Sequence, residues 1–158
     1  MSQFSSVKAA YQAELEAKGF KSDPAQLRAV EALDRCAREW AAYKTQRSNA
    51  LKKLINRPDI PRGVYMFGGV GRGKSFLMDC FFNAVPLKRK VRLHFHEFMR
   101  EVHRELAVLQ GTQNPLDVLG QRIAKRYKLI CFDEFHVADI TDAMILHRLL
   151  AALFDNGV

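Results

Sequence analysis

The chain has 158 residues, 48% of them hydrophobic and 10% aromatic, which suits one domain with a packed core and excludes disorder as its main state. No apolar run reaches the roughly 18 residues that cross a bilayer, and the first 18 residues, with Glu14 and Glu16 and no apolar stretch, resemble neither a secretory nor a transit segment; the expectation is a cytoplasmic protein. The net charge of +8 is unevenly placed: of 25 Lys and Arg and 17 Asp and Glu, residues 129–158 hold Arg148 and five acids, leaving 24 bases against 12 acids before them.

In chain order, residues 5–18 read as a short helix closed by Gly19. Asp23 and Pro24 are a capping acid and a first-turn proline, and Leu27, Val30, Leu33, Ala37, Trp40 and Ala41 then recur at helical spacing, predicting a long amphipathic helix to about Gln46. Lys44, Arg47, Lys52, Lys53 and Arg57 follow without an intervening acid; two further basic groups are Lys88, Arg89, Lys90 and Arg92, and Arg122, Lys125, Arg126 and Lys128. Solvated helix faces account for such runs, and they also admit nucleic acid or acidic lipid headgroups, hence peripheral membrane contact. Pro58, Pro61 and Gly63 break the chain. After them the spacing predicts a strand at 64–67, a helix at 74–83, a strand at 91–95, helices at 98–109 and 116–125, a strand at 129–132 and a helix at 141–154. Strands separated by helices predict an α/β fold with a mostly parallel sheet, preceded by a helical extension over residues 1–60, with the partial core in residues 61–158.

Gly68, Gly69, Val70, Gly71, Arg72, Gly73, Lys74 and Ser75 satisfy the pattern G-x-x-x-x-G-K-[ST], the phosphate-binding P-loop or Walker A motif. Glycines let successive N–H groups turn inward around phosphate oxygens, and the helix that follows aims its N-terminus at the same anion. Lys74 neutralises the β and γ phosphates, and the Ser75 hydroxyl is a hard ligand for Mg²⁺. The position of the motif, after an apolar run and opening a helix, is the context that supports it. Further on, Leu129, Ile130, Cys131 and Phe132 lead into Asp133 and Glu134, a Walker B pattern. Asp133 is the candidate Mg²⁺ ligand and Glu134 the candidate base for the attacking water, which argues for hydrolysis rather than transfer to a small acceptor. His94 and His96 alternate with apolar neighbours and are expected to share a strand face as hydrogen-bonded strand-end residues, a metal site being the lesser alternative for want of a third ligand; in related ATPases a polar residue at this strand end contacts the catalytic glutamate, which adds a sensor role at His94 or His96, and His103 follows on the next helix. Cys36, Cys80 and Cys131 lack paired spacing and read as small buried hydrophobes.

Three segments together carry a resemblance: residues 63–75, residues 93–99 with Val102 and His103, and residues 131–146, joined by Asp23, Pro24, Ala25 and Gln26 in the extension. The sequence resembles the ZapE-like, or ATPase-family-gene-one-like, branch of the AAA+ P-loop ATPases. That resemblance implies a three-layer αβα ATPase core and hydrolysis of ATP with Mg²⁺. It further implies a homo-oligomer and work on protein partners in cell division or protein quality control. Family members continue through another strand bearing a sensor residue, an arginine offered to a neighbouring subunit, and further helices, so this chain reads as an N-terminal fragment in which the strand expected to begin at Val158 is absent and turnover is impaired. Two alternatives stand beside this reading: a nucleic-acid-associated loader or initiator ATPase using the basic groups, and an ATP-binding module without turnover.

Overall fold

The computed structural model of the chain describes residues 5–69, 71 and 73–158. They form helices α1 (Val7–Lys18), α2 (Pro24–Gln46), α3 (Ala50–Ile55) and α4 (Lys74–Ala84), then strand β1 (Lys90–His94), helices α5 (Phe95–Val108) and α6 (Pro115–Arg126), strand β2 (Leu129–Asp133) and helix α7 (Ile140–Asp155). The contacts divide the chain into two compact units between Leu87 and Lys88, so the glycine-rich segment and α4 group with the helices of the extension.

The first unit is built on α1, α2 and α4. Helix α1 starts where the Ser6 hydroxyl accepts the Ala9 N–H at 3.0 Å and ends at Gly19, whose φ of +64° is the left-handed turn that glycine adopts without strain. Helix α2 starts as its sequence indicates, with Asp23 accepting the Ala25 N–H at 2.8 Å and Pro24 in the first turn. Val7, Ala10, Tyr11 and Leu15 of α1, Val30, Leu33, Cys36, Ala37 and Trp40 of α2, and Leu77, Cys80, Phe81 and Ala84 of α4 are buried together at helical spacing. Each large side chain among them contributes about 1.5–3 kcal/mol by leaving water. One charge lies in this core. Asp34 of α2 is only 5% exposed, and its carboxylate accepts the N–H groups of Val7 and Lys8 at 3.0 and 3.4 Å, so it satisfies the open end of α1 from the neighbouring helix. Helix α3, capped by Asn49, buries none of its residues.

Residues 64–67, expected as a strand, carry no ladder. Tyr65 and Phe67 are 70% and 86% exposed, and their rings stack side by side at 6.4 Å, so the alternation of an extended chain survives. Composition favours an extended backbone, but a strand also needs a partner strand in register, and the ladder among the described residues is that of Lys90–His94 with Leu129–Asp133.

The second unit holds the parallel pair of β1 and β2, in register from Lys90 opposite Leu129 to His94 opposite Asp133. Leu93, Ile130 and Phe132 pack onto a cluster formed by Phe95, Phe98, Met99 and Val102 of α5, Leu116 and Leu119 of α6 and Leu146, Leu149 and Leu153 of α7. Helices α6 and α7 cross where a Cβ on Gly120 would come within 2.7 Å of the Ala152 Cβ. Lys128 donates to the carbonyls of Asn156 and Gly157 at the end of α7. Val158, expected to open a strand, instead donates its N–H to the Leu153 carbonyl at 3.0 Å and packs on the same cluster. The chain is thus a mixed helix and strand protein with a small parallel sheet.

Candidate nucleotide site

In the first unit the P-loop glycines lead into α4. Gly71 and Gly73 have φ of +78° and +76°, values that a side chain resists, and Gly73 is the N-cap of α4 with no side chain capping that end. The first N–H groups of α4 therefore have no side-chain acceptor at the cap position, which suits an anion. The Lys74 ammonium folds back over the loop and donates to the carbonyls of Gly68 and Gly69 at 2.6 and 2.8 Å. Ser75 follows in the first turn of α4. Val70 and Arg72, also expected in the loop, lie outside the described residues.

The extension reaches this loop. A Cβ on Gly73 would stand 2.6 Å from the Gln26 amide nitrogen, and the Gln26 carbonyl oxygen accepts the Tyr11 hydroxyl at 2.9 Å. The Tyr11 ring lies 5.8 Å from that of Phe76, over which the Lys18 ammonium sits at 4.9 Å. Burial pushes the Tyr11 phenol upward, so it remains a donor at neutral pH. Sequence reasoning quoted Gln26 in a motif without a role and passed over Tyr11; the only available signal was their place on the buried faces of α1 and α2.

In the second unit Asp133 ends β2 and Glu134 follows with φ of +53°, a left-handed value rare for a glutamate. The residues on either side explain the turn. Phe132 and Phe135 both enter an aromatic group, with Phe95 5.7 Å from Phe132 and 4.6 Å from Phe135, and Phe98 4.8 Å from Phe132. These ring contacts fix the chain on both sides of Glu134, whose side chain is exposed.

Asp133 is joined by a residue that sequence reasoning missed: Arg92 of β1, whose Nε and a terminal nitrogen donate to the two carboxylate oxygens at 2.5 and 3.2 Å. A signal existed in hindsight, since Arg92 and His94 share a strand face, but the register with β2 was needed to read it. His94 is the register neighbour of Asp133. His96 belongs to α5, so the two histidines do not share a strand face as expected. Phe95, Phe98, Met99 and Val102 explain the difference, because their i, i+3, i+4, i+7 spacing buries one helical face and overrides the local alternation. His103 meets Asp142 at 2.6 Å, while Asp139 caps α7 by accepting the Asp142 N–H at 2.8 Å. The two acids after the Walker B pair thus begin α7 and tie it to α5. Among the described residues no group of three His, Cys, Asp or Glu side chains is arranged to hold a metal ion; a hydroxyl and a carboxylate, as at Ser75 and Asp133, are hard oxygen donors of the kind Mg²⁺ takes beside phosphate oxygens.

The family model for AFG1-like ATPases matches residues 5–158. The chain belongs to the AFG1-like ATPase family. Among relatives of this family, the cell division protein ZapE of Escherichia coli K12 is 55% identical over 97 residues, covering 61% of this chain and 26% of that protein. Lactation elevated protein 1 homolog B of Danio rerio is 42% identical over 114 residues, 65% of this chain and 23% of its own length. A Schizosaccharomyces pombe protein is 36% identical over 173 aligned positions, 88% of this chain and 38% of its own length. The chain therefore spans well under half the length of each of these AFG1-like relatives. No solved structure matches it.

Proposed function

We propose that this chain carries the ATP-binding and Walker B segments of an AFG1-like ATP hydrolase with an AAA+ type three-layer core. The observation that carries the reading is the loop itself: two left-handed glycines, a helix start without a side-chain cap, and Lys74 lying over the loop. The backbone of Gly68, Gly69, Gly71 and Gly73 would wrap the triphosphate, with Val70 and Arg72 as the loop's other expected members, and Lys74 would exchange its loop carbonyls for β and γ oxygens. Ser75 and Asp133 would hold Mg²⁺, which when bound would draw negative charge from the phosphate oxygens. Glu134 orients a water on its carboxylate and accepts its proton as the γ phosphoryl is transferred. The exposure of Glu134 directly after Asp133 supports that role. The name of the Escherichia coli relative supports a protein partner in cell division, and assembly of the whole protein into a homo-oligomer in the cytoplasm completes the reading. No helix among the described residues is long and apolar enough to cross a membrane.

Two substitutions separate binding from chemistry. Lys74→Ala is expected to lose ATP affinity by about 100-fold or more, because a charge-assisted contact to the phosphates disappears. Glu134→Gln is expected to retain ATP and to slow phosphate release by about 100-fold or more. ATP titration and phosphate release, measured on this chain and on the whole protein, check both. A Glu134→Gln variant that hydrolyses at the normal rate removes Glu134 from the mechanism.

A further inference from the structure

Arg92 engages both oxygens of the Asp133 carboxylate, with side chains that are 24% and 14% exposed. A fork of this kind fixes a carboxylate in place and cancels its charge where water screens little. The same carboxylate is the proposed Mg²⁺ ligand, so the inference rests on that reading. A guanidinium and a divalent cation repel each other, and a carboxylate whose charge is already shared with a guanidinium attracts a cation or its bound water less strongly. The two occupants therefore compete.

We infer that Arg92 is a displaceable counter-ion for Asp133: it holds the carboxylate in the metal-free protein and leaves it when a nucleoside triphosphate brings a divalent cation. The coupling is reciprocal: the cation weakens the Arg92 fork by the same factor as the fork weakens the cation. Its consequence is selectivity. A free cation faces an already neutralised carboxylate, whereas a cation carried on a triphosphate arrives with anionic charge that helps release the guanidinium. Arg92 is on this account a positioning residue: it orients Asp133 along β1 and β2 and sets the threshold at which the site loads.

The test is a titration of the 158-residue chain with Mn²⁺ in the presence of a non-hydrolysable ATP analogue, with free Mn²⁺ read by electron paramagnetic resonance. Arg92→Met is expected to bind Mn²⁺ about tenfold more tightly than the unmodified chain, because one nearby positive charge is removed from a weakly screened site. Arg92→Lys, which keeps the charge, is expected to stay within about twofold of the unmodified chain. Adding Asp133→Asn to Arg92→Met is expected to abolish the gain. Arg92→Gln keeps a hydrogen bond to Asp133 without the charge, so it repeats the measurement if Arg92→Met fails to fold. Melts give a second readout: Arg92→Met or Arg92→Gln is expected to melt lower than the unmodified chain when metal-free and to gain more from Mn²⁺ with the analogue. A merely structural arginine lowers the first value without enlarging the second. Intact binding with no tightening in either neutral variant overturns the inference alone. Absence of analogue-dependent binding that is sensitive to Lys74→Ala in the unmodified chain overturns the nucleotide reading, and this inference with it.

Discussion

At Gly73 the φ of +76° and the neighbouring Gln26 amide act on the same missing atom. Gly73→Ala is expected to lose about 1–2 kcal/mol from the left-handed backbone, with further loss from crowding against Gln26, and to weaken nucleotide binding with it. Adding Gln26→Ala removes the crowding but not the backbone strain, so partial recovery is the expected outcome in urea melts and ATP titrations. Recovery to the full stability of the unmodified chain would mean that the backbone contributes nothing. Lys74, Ser75, Asp133 and Glu134 stand out in the sequence as candidates because few chemistries use that spacing of glycines, a lysine and a hydroxyl followed by a strand-end acid pair. Arg92 was not legible, since its role follows from a register between strands far apart in sequence. Asp34 was equally silent, because a buried aspartate on a helix reads as a surface charge until the N–H groups of Val7 and Lys8 are found against it.

The helices were largely legible as elements, and the reason is local. Helix α2 begins and ends where the capping pair and the apolar stripe indicate, and α6 and α7 extend by only a residue at each end. The border between β1 and α5 was misjudged because His94, Phe95 and His96 alternate like a strand while Phe95 already belongs to the buried stripe of the helix. Helix α3 escaped notice because it has one turn and a half and buries nothing, so no periodic signal marks it. The crossing of α6 and α7 offers a test at this scale. Gly120→Ala places a methyl 2.7 Å from that of Ala152, and the expected cost is about 1–3 kcal/mol from overpacking. Adding Ala152→Gly restores the space, so the double variant is expected to regain most of the loss in a denaturant titration, apart from the lower helix propensity of the new glycine.

Across the whole molecule, each of the two units has its own core, so one melting temperature need not describe both. Cys36 and Cys80 lie in the first unit, and burial pushes both thiols from the ordinary 9.0 up to about 11. A folded state that keeps a proton which the unfolded state releases loses stability as pH rises: the contribution is intact below about pH 9 and is lost between about 9 and 11. The loss is on the order of 2 kcal/mol per thiol, and the raised Tyr11 phenol acts in the same direction. Melts at pH 7 and pH 10 are expected to show the first unit weakening more steeply than the second, and a Cys36→Ala, Cys80→Ala variant is expected to flatten that difference. An unchanged pH dependence in the variant would assign the alkaline loss to other groups.

The grouping of α4 with α1 and α2 also bears on the order in which the chain is made. A ribosome delivers α1 and α2 before the glycine loop, so α4 emerges onto partners that already exist, and the first core can close once Ala84 has left the tunnel. Strand β1 has no such partner waiting. It stays unpaired until α5, α6 and then β2 have followed, with Val91 and Leu93 lacking their neighbours for that interval. During synthesis the glycine loop is thus the early, sheltered part of the protein and the Asp133 strand the late one. Chaperone dependence and aggregation during translation should accordingly track substitutions in residues 88–133 more than those in the loop.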